Sequence, residues 1–453
     1  MEILILVCAA FVVTTIMRPL WGLWVAIAAA IIYDDRQISE TVLSSLHFQS
    51  PTIFNVRIAG LQIVDWMLLV LALRVFILII THWQERQYLQ KWFKSPIVWG
   101  LALATVPYVY SSVIALALGN PWRQMVQDMQ NHGYLLLMAG ASFVLIDDFK
   151  QARKTVVWLL SWLGIKTVVL LIRYLTGYGF SWMSVFRVTI SSDSVLLLIL
   201  VGGMLYLSFN NNRTWWKSFA CLSIAGLSCF ILFTVAGRTT MVLLVMQIAL
   251  LLIYISSRTR LWLSLFLSSV VFSIILYLIA LQPELAKFYW WRVSSIFTWK
   301  SSELGHGGQA LSNTVKVLEI KNIYTLLRHE GALLLGLGQG ASWTTKYYHI
   351  PALYLNDAYA PGEVKHYSTH LQLLSQLLKM GIVGVVFYWT GVVGSLVQMF
   401  KASLHYKKDA LIIVTLGMIP LLFNMSNYER LYLFTGLLFG IAIKMESVLR
   451  EQP

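Results

Sequence analysis

A succession of apolar runs separated by short basic clusters constrains this chain more than any other feature. Runs near twenty residues cross the hydrocarbon of a bilayer as helices, because there every backbone polar group must be satisfied within its own segment. Such runs lie near 58–82, 97–117, 134–147, 155–172, 194–209, 218–236, 239–256 and 261–281, with three more near 381–400, 410–424 and 431–446. Two earlier runs, 2–17 and 20–33, are split by Arg18-Pro19 and form either a short hairpin or tilted half-spans. The reading is an all-α polytopic membrane protein with about twelve or thirteen transmembrane helices.

Composition agrees. At 453 residues, 58% hydrophobic and 12% charged, the chain cannot bury its apolar side chains in one water-soluble core. The net charge of +14 sits in short clusters between apolar runs, which argues against nucleic acid as a partner. Arg86, Lys91 and Lys94; Lys150, Arg153 and Lys154; Arg213 and Lys217; Arg258 and Arg260; and Lys401, Lys407 and Lys408 occupy every second loop, which makes those loops cytoplasmic. Segments 118–133, 173–193, 236–239, 282–380 and 425–430 then lie on the extracytoplasmic side. The first apolar run follows Glu2 with no basic lead, as in a retained helix. Cys8, Cys221 and Cys229 all lie in apolar runs, so neither a disulfide framework nor a metal site is expected of them. The organisation is a membrane domain over 1–281, a large extracytoplasmic loop with short helices over 282–380, and the last spans with a cytoplasmic C-terminus over 381–453.

Several arginines on the outer side stand apart from this charge rule: Arg173 and Arg187 in RYLTGYGFSWMSVFRVTISSDS, Arg238 in VAGRTTMV and Arg292 in FYWWRVSS. Arg238 lies in a tight turn between two apolar helices, where a guanidinium costs a few kcal/mol unless something pairs with it. A bound phosphate fits its planar fork. The alternatives are snorkelling to lipid headgroups or pairing with a distant acid such as Asp193. Downstream, Thr369 and Gln372 are spaced as a capping box, which makes His370 the first helical residue of HLQLLSQLLKMGIVG. The positive end of the helix dipole would keep its imidazole neutral and suited to take a proton from a hydroxyl. His366 competes for that role. The GLGQGASW segment lacks the lysine and hydroxyl of a nucleotide loop and reads as a tight turn back to the membrane. Aromatic residues crowding the outer loop, from Tyr289 to Tyr359, are read equally as sugar platforms or as an interfacial belt.

In this order and topology the chain resembles the O-antigen ligase and O-antigen (exopolysaccharide) polymerase superfamily of bacterial envelope glycosyltransferases. The resemblance rests on FRVTISSDSVLLLILVGG, AGRTTMVLL, LLLGLGQGA and HLQLLSQLLKMGIVG, with IVDWMLLVLAL beside them, and covers roughly residues 60–400. It implies a GT-C-like membrane fold in a bacterial inner membrane, with its active site on the extracytoplasmic face. It further implies a metal-independent, inverting transferase, without cofactors, that moves a glycan from undecaprenyl diphosphate to an acceptor hydroxyl. Carried over, Arg187 and Arg238 would bind the lipid diphosphate with Arg292 beside them, and His370 would activate the acceptor. His366 and Arg328 stand as secondary candidates. Two departures from the family pattern are Leu371, where an asparagine often follows the histidine, and the loop before the glycine pair, where Lys316, Lys321 or Arg328 would replace an arginine.

The implied partners are the lipid-linked glycan, an acceptor glycan or glycolipid, membrane lipid and other polysaccharide-assembly proteins. The reading leans to a polymerase over a ligase, because the loop departs from the ligase-like pattern. Two rivals remain in view. One is a metal-dependent lipid-linked glycosyltransferase using Asp34-Asp35. The other is a flippase or transporter, which calls for charges inside the spans, of which Asp65, Arg74 and Lys166 are the few.

Overall fold

Pro19 sits at the first position of a helix, where its missing N–H costs nothing, and the preceding Arg18 makes the turn. The computed structural model describes residues 2–33, 53–54, 56–81, 87–176, 180–182, 185–187, 191–209, 214–235, 238–255, 268, 307–348, 365–367, 369, 371–423 and 429–451. The described helices are α1 (Glu2–Met17), α2 (Pro19–Ile32), α3 (Ile63–Thr81), α4 (Gln87–Lys94), α5 (Pro96–Ala117), α6 (Trp122–Leu145) and α7 (Phe149–Leu175). They continue with α8 (Ser191–Phe209), α9 (Trp215–Val235), α10 (Arg238–Tyr254), α11 (Gly307–His329), α12 (Gln372–Tyr406), α13 (Asp409–Phe423) and α14 (Glu429–Arg450). Two antiparallel hairpins accompany them: β1 (Arg57–Ile58) with β2 (Leu61–Gln62), and β3 (Phe180–Trp182) with β4 (Val185–Arg187).

Among the described residues seven helices, α3, α5, α7, α8, α9, α12 and α14, are long and apolar enough to cross a membrane. Helices α1, α2 and α13 and most of α10 are shorter apolar segments. The chain is thus an all-α, multi-pass membrane protein. The first two runs form two helices packed against each other, with Gly22 so close to Thr15 that any side chain would collide. The span expected near 261–281 lies outside the described residues apart from Ser268. Helix α6 begins twelve residues before the run at 134–147, because its polar first half is matched by neighbours. Asp128 pairs with Lys379 of α12, Gln130 bonds Asp65 of α3 at 2.8 Å, and the His132 Nε2 lies 3.0 Å from Thr105 Oγ1 of α5.

Helices α8, α13 and α14 are the most enclosed, apolar on all sides as a central helix must be. Small residues let two pairs of helices approach closely. Gly436 and Gly440 of α14 lie against the backbone of Leu135 and Ala139 in α6, and a Cβ on Gly391 of α12 would come within 2.6 Å of the backbone N of Ala104 in α5.

Polar contacts sort into two layers. At one end Lys91 pairs with Glu451 at 2.9 Å, Ser95 Oγ donates to Glu446 at 2.6 Å and Tyr206 OH donates to Asp409 at 2.9 Å. This end collects loops rich in Lys and Arg. At the opposite end lie Asp128 with Lys379, and Asp193 with Arg430. Segments separated by hundreds of residues therefore meet at each end of the bundle.

Candidate functional site

The end opposite the basic loops is built from helix N-termini. Helices α8, α10, α12 and α14 all begin there, and described contacts tie them together. The Arg430 guanidinium, in the first turn of α14, donates to Ser192 Oγ at 2.9 Å and to Tyr33 O at 2.9 Å, and it pairs with the Asp193 carboxylate. Lys166 of α7 approaches the other Asp193 oxygen at 3.4 Å and donates to Ile32 O at 3.1 Å. These three charged side chains are essentially removed from solvent, at 2%, 1% and 0% exposure for Lys166, Asp193 and Arg430. Beside them, Ser194 Oγ lies 3.3 Å from Thr240 Oγ1 of α10, and Gln372 Nε2 lies 3.5 Å from Tyr432 OH. Each helix N-terminus directs first-turn N–H groups and the positive end of its dipole toward this region.

Of the positions singled out in the sequence, Arg187 and Arg238 stand at this end by backbone. Arg187 closes β4, opposite Phe180, four residues before α8 begins. Arg238 is the first residue of α10. Arg292, His370 and the Asp34-Asp35 pair lie outside the described residues. Helix α12 begins at Gln372 with Leu371 as its cap, not at Thr369. The Thr369 hydroxyl is turned the other way, donating to Leu371 O at 2.6 Å, so the capping box does not form. Arg328 is exposed in the last turn of α11, where a cation suits the negative helix end, and no described contact joins it to the crown of N-termini.

His366 has a packing role. Its backbone forms an isolated antiparallel bridge with Trp343, at 2.8 and 2.9 Å, and its ring lies 4.8 Å from the Trp343 ring. A small core of Ile323, Leu327, Ala341, Trp343, Leu374 and Leu378 sits beneath. Burial pulls the His366 pKa below the usual 6.5, with Glu319 opposing the shift, so the imidazole is neutral at neutral pH.

The glycine segment seats residues 333–340 on the spans. Helix α12 breaks at Gly381, whose φ of 66° and ψ of −174° leave the helical region. The loop repairs that break. Leu337 N–H donates to Leu378 O at 2.9 Å and Gly338 N–H to Lys379 O at 3.0 Å, while Ile382 and Val383 N–H donate to Leu333 O and Leu334 O. Gly336 and Gly338 adopt positive φ, and a Cβ on either would lie 2.5 Å from backbone of Lys379 or Ala115. Asp128 then clamps both sides, holding Lys379 Nζ at 2.5 Å and accepting from Gly340 N–H at 2.7 Å. Asn120 donates to Leu337 O and Gln339 O, and Gln339 donates to Ser111 Oγ at 2.7 Å. The glycines thus serve close backbone docking, in keeping with the turn read from GLGQGASW.

The sequence reading missed Arg430 and the Asp128–Lys379 clamp. Arg430 had a signal: NYERLY places a lone arginine at the start of an apolar helix, as AGRTTM does for Arg238. No protein-family model matches this chain, and no curated protein matches it.

Proposed function

We propose that the protein is an envelope glycan polymerase or ligase, with the lean to a polymerase, that takes a glycan from undecaprenyl diphosphate at the crown of helix N-termini. One observation supports this reading above others. The helices that begin at or just after Arg187, Arg238 and His370 are held together through Arg430 with Ser192 and Asp193, Ser194 with Thr240, and Gln372 with Tyr432. Helix N-termini and arginines are suited to a diphosphate leaving group.

In this mechanism the acceptor oxygen attacks the anomeric carbon of the donor sugar and the carbon–oxygen bond to the diphosphate breaks with inversion. Arg187 and Arg238, with Arg292 beside them, stabilise the charge gathering on the departing diphosphate, and His370 accepts the hydroxyl proton. His366, held in the loop core with Trp343, is left to position the segment that leads to His370. By the charge alternation of the loops this end faces away from the cytoplasm of a bacterial inner membrane.

Mass analysis of lipid diphosphate-linked glycans in cells lacking the protein, with and without the wild-type gene restored, tests this. Accumulated single repeat units identify a polymerase and accumulated long chains a ligase; accumulation of neither rejects both. The buried Lys166, Asp193 and Arg430 favour a second reading, a transporter, because charges inside a bundle line substrate paths. Movement of a labelled lipid-linked glycan across vesicles by the purified protein would support it.

A further inference from the structure

At the basic end, far from the crown, a cavity of about 480 Å³ opens between the α1–α2 turn, α3 and the α6–α7 junction. Arg18, Trp21, Arg74, Leu78, Asp147 and Gln151 line it. Arg74 is the unusual member. It lies seven residues before the end of α3, roughly 10 Å inside that helix end at 1.5 Å per residue. Its Nε is buried with no acceptor, and among the described residues no carboxylate pairs with Arg74 or Arg18. Arg18 lies 5.0 Å above the Trp21 ring, so its guanidinium is fixed at the cavity mouth. Asp147, across the cavity, is engaged by Gln151, which donates to Oδ2 at 3.2 Å and accepts from the Asp147 N–H at 3.0 Å. Two guanidiniums against one carboxylate leave the cavity one net positive charge.

The depth of the cavity is set by its surroundings. Helix α4 is a short amphipathic helix with Lys91 and Lys94 on one side, and its Trp92 ring meets Phe143 of α6 at 4.9 Å, directly before the cavity residues Val144 and Leu145. Such a helix lies along the boundary between headgroups and acyl chains. Met17 of the lining is exposed, and Ile16, Phe76 and Ile80 expose apolar surface on the same two helices, suited to acyl chains.

We propose that this cavity is a binding site for a phosphate anion at the boundary of the leaflet facing the basic loops, carried by an anionic phospholipid headgroup or by a free phosphate. Arg74 and Arg18 present guanidinium forks to the phosphate oxygens from two different helices, and one net positive charge matches one phosphodiester. The site does not depend on the activity proposed at the opposite end.

The test is native mass spectrometry of the delipidated full-length protein with phosphatidylglycerol, phosphatidylcholine or inorganic phosphate. The wild type is expected to retain one phosphatidylglycerol about tenfold more strongly than phosphatidylcholine. Arg18→Gln/Arg74→Gln should lose that preference, and Asp147→Asn should strengthen it. Displacement of the lipid by millimolar phosphate, or binding of phosphate without lipid preference, places the free anion in the same site and also supports the proposal. Absence of both lipid preference and phosphate binding in the wild type, or full retention by the double variant, overturns it. Should the double variant fail to fold, the exposed-site variant Arg18→Gln and Asp147→Asn must still move binding in opposite directions, and unchanged binding in both rejects the site.

Discussion

Leu378 and Ile382 stand one helical turn apart in α12, yet both take their backbone partners from the loop: Leu378 O accepts from Leu337 and Ile382 N–H donates to Leu333. A broken span in a bilayer is stable only where its freed backbone groups find such substitutes. The segment from Leu333 to Gly338 is therefore part of the membrane fold.

Gly381→Ala should damage this joint most directly. The residue holds a φ of 66°, and a Cβ there would lie 2.5 Å from Gly336 N and closer still to Leu334. Left-handed strain and overpacking together predict a loss of about 2–4 kcal/mol, read as a lower melting temperature of the detergent-solubilised protein. An unchanged melting temperature would contradict the packing described.

Asp128→Asn should release the loop. Lys379 would lose its carboxylate at 2.5 Å while remaining largely buried, at a cost of about 3–5 kcal/mol. Limited proteolysis within 330–348 should accelerate, and pairing the change with Lys379→Met should restore much of the protection.

Asp193→Asn should destabilise the bundle by a similar order, about 3–5 kcal/mol, because Lys166 and Arg430 would stay buried without their shared carboxylate. The measurement is the melting temperature beside Asp409→Asn, whose carboxylate accepts from Tyr206 at the opposite end and which should cost less.

His366 should impose a pH dependence on the loop. Its folded pKa lies below 6.5, so the unfolded chain takes up a proton first as pH falls. The stability it contributes is complete above about pH 6.5 and declines below it. His366→Gln should flatten that decline in melting temperature between about pH 7.5 and 5.5. An identical slope in both proteins would place the cause elsewhere.

Arg238→Ala and His370→Ala should each abolish glycan transfer while the protein remains inserted in the membrane. Near-normal transfer by both would remove these residues from the site.

Much of the fold was legible because hydrophobic length reports spans directly. The exceptions have physical causes. Helix α6 hides its first half behind Asp128, Gln130 and His132, whose partners lie on other helices and cannot be read from local composition. Thr369 and Gln372 have capping-box spacing, but the hydroxyl bonds a carbonyl and the helix begins later. Arg187 and Arg238 were readable as positions, whereas the Asp193 carboxylate that joins Lys166 to Arg430 depends on residues 27 and 237 apart in sequence.

The repaired break at Gly381 also makes two distant segments depend on each other. The carbonyls of Leu378 and Lys379 are satisfied by Leu337 and Gly338, and the amides of Ile382 and Val383 by Leu333 and Leu334, so neither side of the break is complete without the other segment. The joint is thus shared among distant parts of the chain, because Gln339 and Gly340 of the same segment are bonded by Ser111 of α5 and Asp128 of α6.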